Sequence, residues 1–599
     1  MQNETNHSSG GEIIVDQLID QGVPYLFGLC GHGIVGLMDA ALDRRDRIDT
    51  VSVHNEQIAG FAADAYYRVT RQPCATFTSC GPGSINIQMA IANALLDSSA
   101  VFAITGNIPT QQFNRGPFQE LLHHHPADFT TAMRPYVKRS FQATRADMLP
   151  HLVRQAYSTM LSGRTGPVHL DVPFNVFTET TDHRAETGPQ WKTGLVQEST
   201  VEDSVAARVL DMLLASPRPL ILAGHGCVMA DCGQELSELA QLISVPVATT
   251  PQGKGAMLDD EALHLGPTGR DGVYPANRAA RGCDVLLAIG TRFGDRSTSS
   301  WRDGITHRIP STRLIHVDID ASQIGRNYPA ELGLVADARP LLRQLLRLAR
   351  LRKDLNRDTR AAWLAAAQSW KDAWHSSTAV PDSNATPMHP AHVVGAIAQA
   401  TPADAVVLSD IGAHHSWMVQ QWPIRMRRHF LQSGGSATMG FGVGGAIGAQ
   451  FARPDRKVLA VVGDGGMLMH ASAIATAVEY GLPIVWLVWN NCGYVSIRDL
   501  QKGFLGKDRE FKTRFRNERS GELQSVDFAA LARSMGAAGI RVERRGDLAA
   551  ALDNALGSGV PTVLDVQVSA DAARLTAASW DMPPIAGPAP SFDPDPLGG

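Results

Sequence analysis

Two polar residues at the ends of neighbouring apolar runs carry the clearest chemistry in this 599-residue chain. Val458 to Val462 is short and β-rich and ends in Gly463-Asp464-Gly465-Gly466. A helix-compatible stretch then leads to Ile484-Val485-Trp486-Leu487-Val488-Trp489 and to Asn490-Asn491. The stretch between them has the length of one strand-helix-strand crossover, so Asp464 and Asn491 are expected side by side at the carboxyl ends of parallel strands. A carboxylate, an amide oxygen and a backbone carbonyl, for which Gly493 is the candidate, suit Mg²⁺, which takes about six oxygens and shares them with water and phosphate. Gly465 and Gly466 let backbone amides approach an anion at the following helix start. The pattern predicts a divalent-metal and diphosphate site on Asp464, Asn491 and Gly493. A lone Gly-Asp-Gly also occurs as an ordinary turn, so the pair of motifs carries the argument.

The other half of such a site stands far upstream. His54-Asn55-Glu56-Gln57 opens a helical pattern with a small-residue face that runs to Arg68. Glu56 falls in its first turn, where the helix dipole favours an acid and where burial would raise its pKa and make it a proton partner. Thr78-Ser79-Cys80-Gly81-Pro82-Gly83-Ser84-Ile85-Asn86 then reads as a strand end, a Gly/Pro turn and a helix start. It is followed by the strand Ala100 to Thr105, by Gly106-Asn107-Ile108-Pro109 and by Phe118-Gln119-Glu120.

In this order the motifs resemble thiamine-diphosphate-dependent enzymes of the acetolactate synthase-like superfamily, which decarboxylate and ligate 2-oxo acids. The likeness covers nearly the whole chain. Arg218 to Gly226, Thr249 to Gly255, Ala288 to Arg296 and His316 to Asp320 are similar to that family's central domain, and Asp410 to His415 with Ser433 to Gly442 to its diphosphate domain. The resemblance implies thiamine diphosphate and Mg²⁺ as cofactors. It implies that Glu56 hydrogen-bonds the aminopyrimidine and promotes loss of the thiazolium C2 proton, with His32 and Gln119 also catalytic. Gly81, Pro82, Gly83 and Asn86 would line the cofactor from the first domain. Gly412, His414, Met439, Gly463, Asp464, Gly465, Gly466, Asn491, Gly493 and Tyr494 would line it from the third, with Met439 under its bend.

Three departures matter. Cys80 is an insertion-like addition to the family's TSGPG turn and puts that loop's geometry in question. His32, in Gly31-His32-Gly33, replaces the Pro-Gly-Gly type turn usual in acetolactate synthases and is similar to the Gly-His turn of cyclohexane-1,2-dione hydrolase; a neutral imidazole there can orient a carbonyl or pass protons near pH 7. Pyruvate-decarboxylase-like relatives carry a Glu six positions beyond the second Asn, and here that position is Ile497. Without that proton donor, the acyl carbanion equivalent left by CO₂ loss is expected to meet a carbon electrophile. The resemblance thus implies a pyruvate-like 2-oxo acid, a carbonyl acceptor, and an acyloin or acetohydroxy acid as product. The alternatives are a C–C-cleaving hydrolase or oxidoreductase acting on a 1,2-diketone or acyloin, and a non-catalytic homologue. His123-His124-His125 read as loop surface. FAD is a further possibility, at Gly224-His225-Gly226, Thr291-Arg292-Phe293 and Asp318, residues that equally suit a plain strand-turn scaffold. In this family the Glu-bearing domain of one subunit faces the metal-bearing domain of another, so a homodimer is the minimum and a homotetramer the expected assembly.

These residues need a scaffold of parallel strands. Apolar runs alternate with helical patterns throughout, which predicts an α/β protein of parallel layers. The resemblance implies three doubly wound parallel-sheet domains, pyrimidine-binding at 10–178, central at 199–352 and diphosphate- and Mg-binding at 390–570, with a tail at 571–599. The length exceeds what one core fills. A net charge of −5 gives no electrostatic reason for a nucleic-acid or acidic-membrane partner. The Arg-rich run 341–352 has apolar residues at helical spacing and reads as the solvated face of an amphipathic helix. No apolar run reaches about 18 residues, so no membrane span is expected. Seven scattered cysteines without a CxxC pair argue against zinc and disulfides and fit a reducing cytoplasm. The polar segment Met1 to Gly11 lacks the apolar core of a signal peptide and reads as a disordered tail. The tail after Asp571 reads as a closing arm or a disordered end.

Overall fold

A computed structural model describes residues 7–120, 129–192, 198–353, 355, 358–379, 383–506, 509–572, 577 and 592–597. It contains three six-stranded sheets, each parallel throughout. The inner strands are short runs rich in Val, Ile and Leu, buried on both faces as parallel sheets covered by helices require, whereas edge strands such as Asp49–Ser52 and Leu332–Val335 are partly exposed.

The first sheet runs in the order Asp49–Ser52, Tyr25–Leu29, Cys74–Thr78, Val101–Asn107, Val168–Pro173, Ser140–Gln142, and the third in the order Phe430–Gln432, Val406–Ser409, Val458–Gly463, Val485–Asn490, Thr562–Gln567, Ala538–Val542. Both begin with the domain's second strand, then take the first, third, fourth, sixth and fifth. In each the order reverses between the first and third strands, where open α/β sheets present ligand crevices. His32 and Cys80 follow those two strands in the first domain. Gly412 and Asp464 follow them in the third.

Helix Glu56–Thr70 follows the second strand of the first sheet, and helix Phe441–Ala452 occupies the equivalent place in the third; the two pack on each other in one hydrophobic core. Gly448 makes this approach possible, since a Cβ there would fall 1.8 Å from the carbonyl oxygen of Ala62. The buried face of Ile58, Phe61, Ala62 and Ala65 is the small-residue pattern visible in the sequence.

The central sheet has a different order: His264–Pro267, Val247–Thr249, Pro219–Ala223, Val285–Ile289, Arg313–Asp318, Leu332–Val335. Its reversal lies between its first strand, Pro219–Ala223, and its fourth, Val285–Ile289. The Arg-rich helix, Ala338–Arg350, buries Leu341, Leu342, Leu345 and Leu346 and pairs its arginines with acids: Arg339 and Arg343 with Glu235, Arg347 with Asp203, Arg350 with Glu238. Three carboxylates thus offset most of the charge of its four arginines. Helix Ala361–Ser377 packs against helix Tyr274–Gly282 through Trp363 and Trp370, and the Trp363 indole donates to Pro219 O (3.0 Å).

The N-terminal segment is more ordered than expected. Ser8–Ser9 pairs with Thr180–Thr181, and helix Gly10–Asp20 starts with a capping box in which Ser9 Oγ accepts from Glu12 N and Glu12 Oε2 accepts from Ser9 N. Residues 1–6 lie outside the described residues, as do His123, His124 and His125. At the other end, Phe592 lies under the Arg281 guanidinium, Pro594 O accepts from Arg281, and Asp595 accepts from the Tyr274 hydroxyl. That stretch of the tail thus docks on a central-domain helix. No helix among the described residues is long and apolar enough to cross a membrane.

Candidate functional site

Asp464 and Asn491 meet at the carboxyl ends of the adjacent strands Val458–Gly463 and Val485–Asn490. The Asp464 carboxylate is buried and accepts three backbone amides: Gly465 N (2.8 Å) on Oδ1, and Asn491 N (3.1 Å) and Gly493 N (3.0 Å) on Oδ2. Burial nevertheless pushes its pKa up to about 6, against the opposing pull of those amides. The two asparagines divide their work. Asn490 Nδ2 donates to Ser525 Oγ, Val526 O and Asp565 Oδ1 and ties the strand to its neighbours, whereas the Asn491 side chain makes no hydrogen bond among the described residues.

Glycines shape the wall around this pair. A Cβ on Gly465 would meet Tyr494 Cε1 at 2.4 Å and Met439 Cε at 3.2 Å, so only glycine lets the chain pass beneath those two side chains. Gly412 and Gly463 both flank the His414 ring. His414 is buried, held neutral by desolvation with its pKa lowered to about 3, and its Nε2 has no protein partner. Thr438 Oγ1 is likewise buried without a partner. The half-buried Met439 belongs to a turn latched by Asp410, whose carboxylate accepts Gly440 N (2.9 Å) and Gly442 N (3.2 Å). Asp410 had no local signal for this latch beyond its place after a strand.

Glu56 opens helix Glu56–Thr70 behind the N-cap Asn55. Its Oε2 accepts from Asn86 Nδ2 (2.6 Å), and the face of Gly83 lies against Oε1. Gly81 turns the chain at φ 64° into the short helix Pro82–Asn86. Cys80 is buried against Gly33 and donates to Gln119 Oε1 (3.1 Å), while His32 Nε2 stands 3.9 Å from the same sulfur. Gln119 adopts a left-handed backbone (φ 67°), a strained choice for a residue with a Cβ. Glu120 holds that turn by accepting Asn114 N and Gly116 N.

Each half therefore presents a carboxylate beside its strand-order reversal, Asp464 held by backbone amides and Glu56 by the Asn86 amide. Comparison with known proteins is consistent across the chain. Family models described as the N-terminal TPP binding domain, the central domain and the C-terminal TPP binding domain of thiamine pyrophosphate enzymes match residues 8–127, 206–345 and 410–566. The chain belongs to the acetolactate synthase-like thiamine pyrophosphate enzymes. It is 33% identical over 571 residues to a probable acetolactate synthase large subunit of Methanocaldococcus jannaschii, covering 93% of this chain and 92% of that one. It is 33% identical to the acetolactate synthase large subunit of Parasynechococcus marenigrum (94% and 87% covered) and 30% identical to the acetolactate synthase isozyme 3 large subunit of Escherichia coli (92% of each).

In this thiamine pyrophosphate enzyme the residues present fit the cofactor's anionic end and a divalent cation: a buried Asp464 carboxylate and, among the described residues, an Asn491 amide without a hydrogen bond and a buried His414 nitrogen without a partner. Among the described residues no group of three or more His, Cys, Asp or Glu is placed to hold a metal, so a cation here would rely on one carboxylate, neutral oxygens and the ligand itself. Within one chain the halves touch but do not merge. Gln57 Oε1 pairs with His470 Nε2 (2.9 Å), at the far end of helix Asp464–His470, about 9 Å along its axis from Asp464 at 1.5 Å per residue. Among the described residues no hydrogen bond joins Glu56 to Asp464, Asn491 or Met439.

A third feature sits in the central domain of this enzyme. A cleft of about 510 Å³ opens at the reversal of strand order, lined by His225, Gly226, Thr291, Arg292 and Asp318 among others. Burial raises the Asp318 carboxyl to about 6. Phe293 does not line it: that ring turns into the core against His307, His316 and Tyr328. Asp97, from the first domain, ties the cleft's wall together by accepting Gln252 Nε2 (2.8 Å), Gly435 N (2.7 Å) and Arg68 Nη2 (2.7 Å). No sequence pattern marked Asp97, because its partners come from three separate domains.

Proposed function

We propose that this enzyme decarboxylates a pyruvate-like 2-oxo acid and transfers the acyl group to a carbonyl acceptor, forming an acyloin or acetohydroxy acid. The observation that carries the reading is the Asp464–Asn491–Gly493 corner, with a buried carboxylate and an amide that makes no hydrogen bond among the described residues, in a chain similar over nine-tenths of its length to acetolactate synthase large subunits. Asp464, Asn491 and Gly493 are assigned to Mg²⁺, and Gly412, His414, Gly463, Gly465, Gly466 and Tyr494 to the diphosphate side. Met439 supports the ligand from below. Thiamine diphosphate, when bound, supplies the carbon nucleophile and the electron sink.

The chain's own residues manage protons and water. Glu56 accepts or returns a proton at the pyrimidine ring, held at its angle by Asn86 and Gly83. His32 and Gln119 face the reacting carbonyl. Ile497, half-exposed at the start of helix Val495–Leu505, offers no proton donor at a position where a carboxyl would favour aldehyde release.

A second copy of the chain completes the site in this reading. Glu56 is only half-buried, and proton transfer from a carboxylate is tuned by excluding water. Exposed Ile85, Met89, Leu468 and Met469 supply apolar surface beside the Glu-bearing and metal-bearing crevices, as an interface requires. A homodimer is the minimum assembly, and a tetramer follows if dimers pair. The central cleft has the size of a small-molecule site and is assigned to FAD in a structural role. All seven cysteines are unpaired, which suits a cytoplasmic enzyme.

The test is product analysis. With thiamine diphosphate and Mg²⁺, pyruvate should release CO₂ and yield a ligated product, and Glu56→Gln should retain cofactor binding while losing turnover. Cleavage of 2,3-butanedione without turnover of any 2-oxo acid would transfer the assignment to a C–C hydrolase. Visible absorbance of the purified protein decides the flavin.

A further inference from the structure

The reaction assigned above uses Glu56, the metal corner, His32 and Gln119, but leaves the buried thiol of Cys80 without a task. Its surroundings give it one. Cys80 follows the strand Cys74–Thr78 at the reversal point of the first sheet, next to the turn that carries His32. Gly33 leaves room for its sulfur, since a Cβ there would lie 2.8 Å from Sγ. Burial raises the thiol's pKa, so it stays protonated and acts as a hydrogen-bond donor.

Two acceptors compete for that single proton. Gln119 Oε1 stands at 3.1 Å and His32 Nε2 at 3.9 Å. Thiol hydrogen bonds are weak and fall off with distance, so the nearer oxygen takes the proton and the imidazole remains available. The consequence lies at the other end of the Gln119 amide. A primary amide has one acceptor and two donors; with Oε1 turned to the sulfur, the Nε2 donors point away from it, and among the described residues they have no protein partner. The reversed amide would set N–H groups against a sulfur that accepts poorly.

The Gln119 backbone argues that this placement matters. Its φ of 67° costs about 1 kcal/mol or more, and the segment keeps it because Glu120 accepts two amides upstream and Gly81 leaves space under the side chain. Phe118 and Phe174 stand against the His32 ring and form an apolar wall.

We propose that Cys80 is a positioning residue: by donating to Gln119 Oε1 it turns the Gln119 amide donors, together with His32, toward the two neighbouring oxygens of an α-dicarbonyl substrate such as a 2-oxo acid. This rests on the assignment of His32 and Gln119 to the reacting carbonyl. Cys80 itself touches neither substrate nor cofactor, so its loss acts on substrate handling and spares cofactor binding.

The experiment compares wild type, Cys80→Ser and Cys80→Ala in the full chain with thiamine diphosphate and Mg²⁺, using pyruvate and 2,3-butanedione as probes. Cys80→Ser keeps a donor and should hold kcat/KM within about threefold, whereas Cys80→Ala frees the amide to flip and should lower it by about tenfold. Thiamine diphosphate affinity and Tm should match wild type in both. Equal kcat/KM for Cys80→Ala and wild type overturns the proposal, and so does a loss shared equally by Ser and Ala, or one that tracks cofactor affinity. A wild type that turns over neither probe refutes the functional assignment itself, an outcome distinct from the first three.

Discussion

Replacing Asp464 by Asn tests the metal corner at the level of single hydrogen bonds. The carboxylate accepts one amide on Oδ1 and two on Oδ2. An Asn must point its NH₂ group at one side, and the cheaper choice turns it toward Gly465 N, keeping the bonds from Asn491 and Gly493. That loses one hydrogen bond to a charged acceptor, about 1.5–3 kcal/mol, partly offset because the cofactor-free protein no longer buries a carboxylate without a cation. The fold of D464N should therefore survive. Binding should not. For wild type, ligand at 100 times its Kd adds about 2.7 kcal/mol of stability. In a domain of about 180 residues that corresponds to a rise of about 5–10 °C in Tm. Melting curves with and without thiamine diphosphate and Mg²⁺, followed through tryptophan fluorescence, to which the buried Trp489 beside His414 contributes, should show that rise in wild type and less than about 1 °C in D464N. An undiminished rise in D464N would refute Asp464 as a metal ligand.

Three further outcomes follow from other contacts. Asn490→Ala removes three hydrogen bonds and should cost about 2–4 kcal/mol of stability, whereas Asn491→Ala should cost less than about 1 kcal/mol yet abolish the Mg²⁺-dependent rise in Tm; denaturant titration separates them. Gly448→Ala drives a methyl into Ala62 O and should destabilise the packing of the two cofactor domains by about 3 kcal/mol or more, read as an earlier urea midpoint. Asp318, raised from 3.8 to about 6 by burial, holds a proton that the unfolded chain releases, so stability falls as pH rises through that window. Asp318→Asn should flatten that fall and gain up to about 3 kcal/mol at pH 8, and an unchanged pH profile in the variant would count against the shift.

The meeting of Asp464 and Asn491 was legible because it is local. Asp464 and Asn491 each end an apolar run, and two adjacent parallel strands joined by a crossover must bring such ends together. Glu56 was legible for a similar reason, as an acid in the first turn of a helix whose small-residue face is written in Ile58 to Ala65. Asn490 shows the limit of that logic: it looks like its neighbour in sequence but points to Asp565, Ser525 and Val526 on other segments. The logic failed for Phe293, whose ring joins a core aromatic cluster instead of the cleft wall, and for the Ser8 to Gly11 end of the expected N-terminal tail, where a capping box and buried isoleucines start a helix at Gly10.

What the sequence determined by itself was the run of parallel α/β units, the family, and the residue types at each crevice, since periodicity, turn glycines and strand-end polar residues are properties of short segments. What only the tertiary structure decided was which side chains share atoms across segments. The Asp410 latch on the Met439 turn, the Asp97 bridge among three domains and the Cys80–Gln119 contact each depend on chain separated by tens to hundreds of positions. Such contacts arise from how strand order folds the chain back on itself, and strand order is a choice that no local pattern encodes.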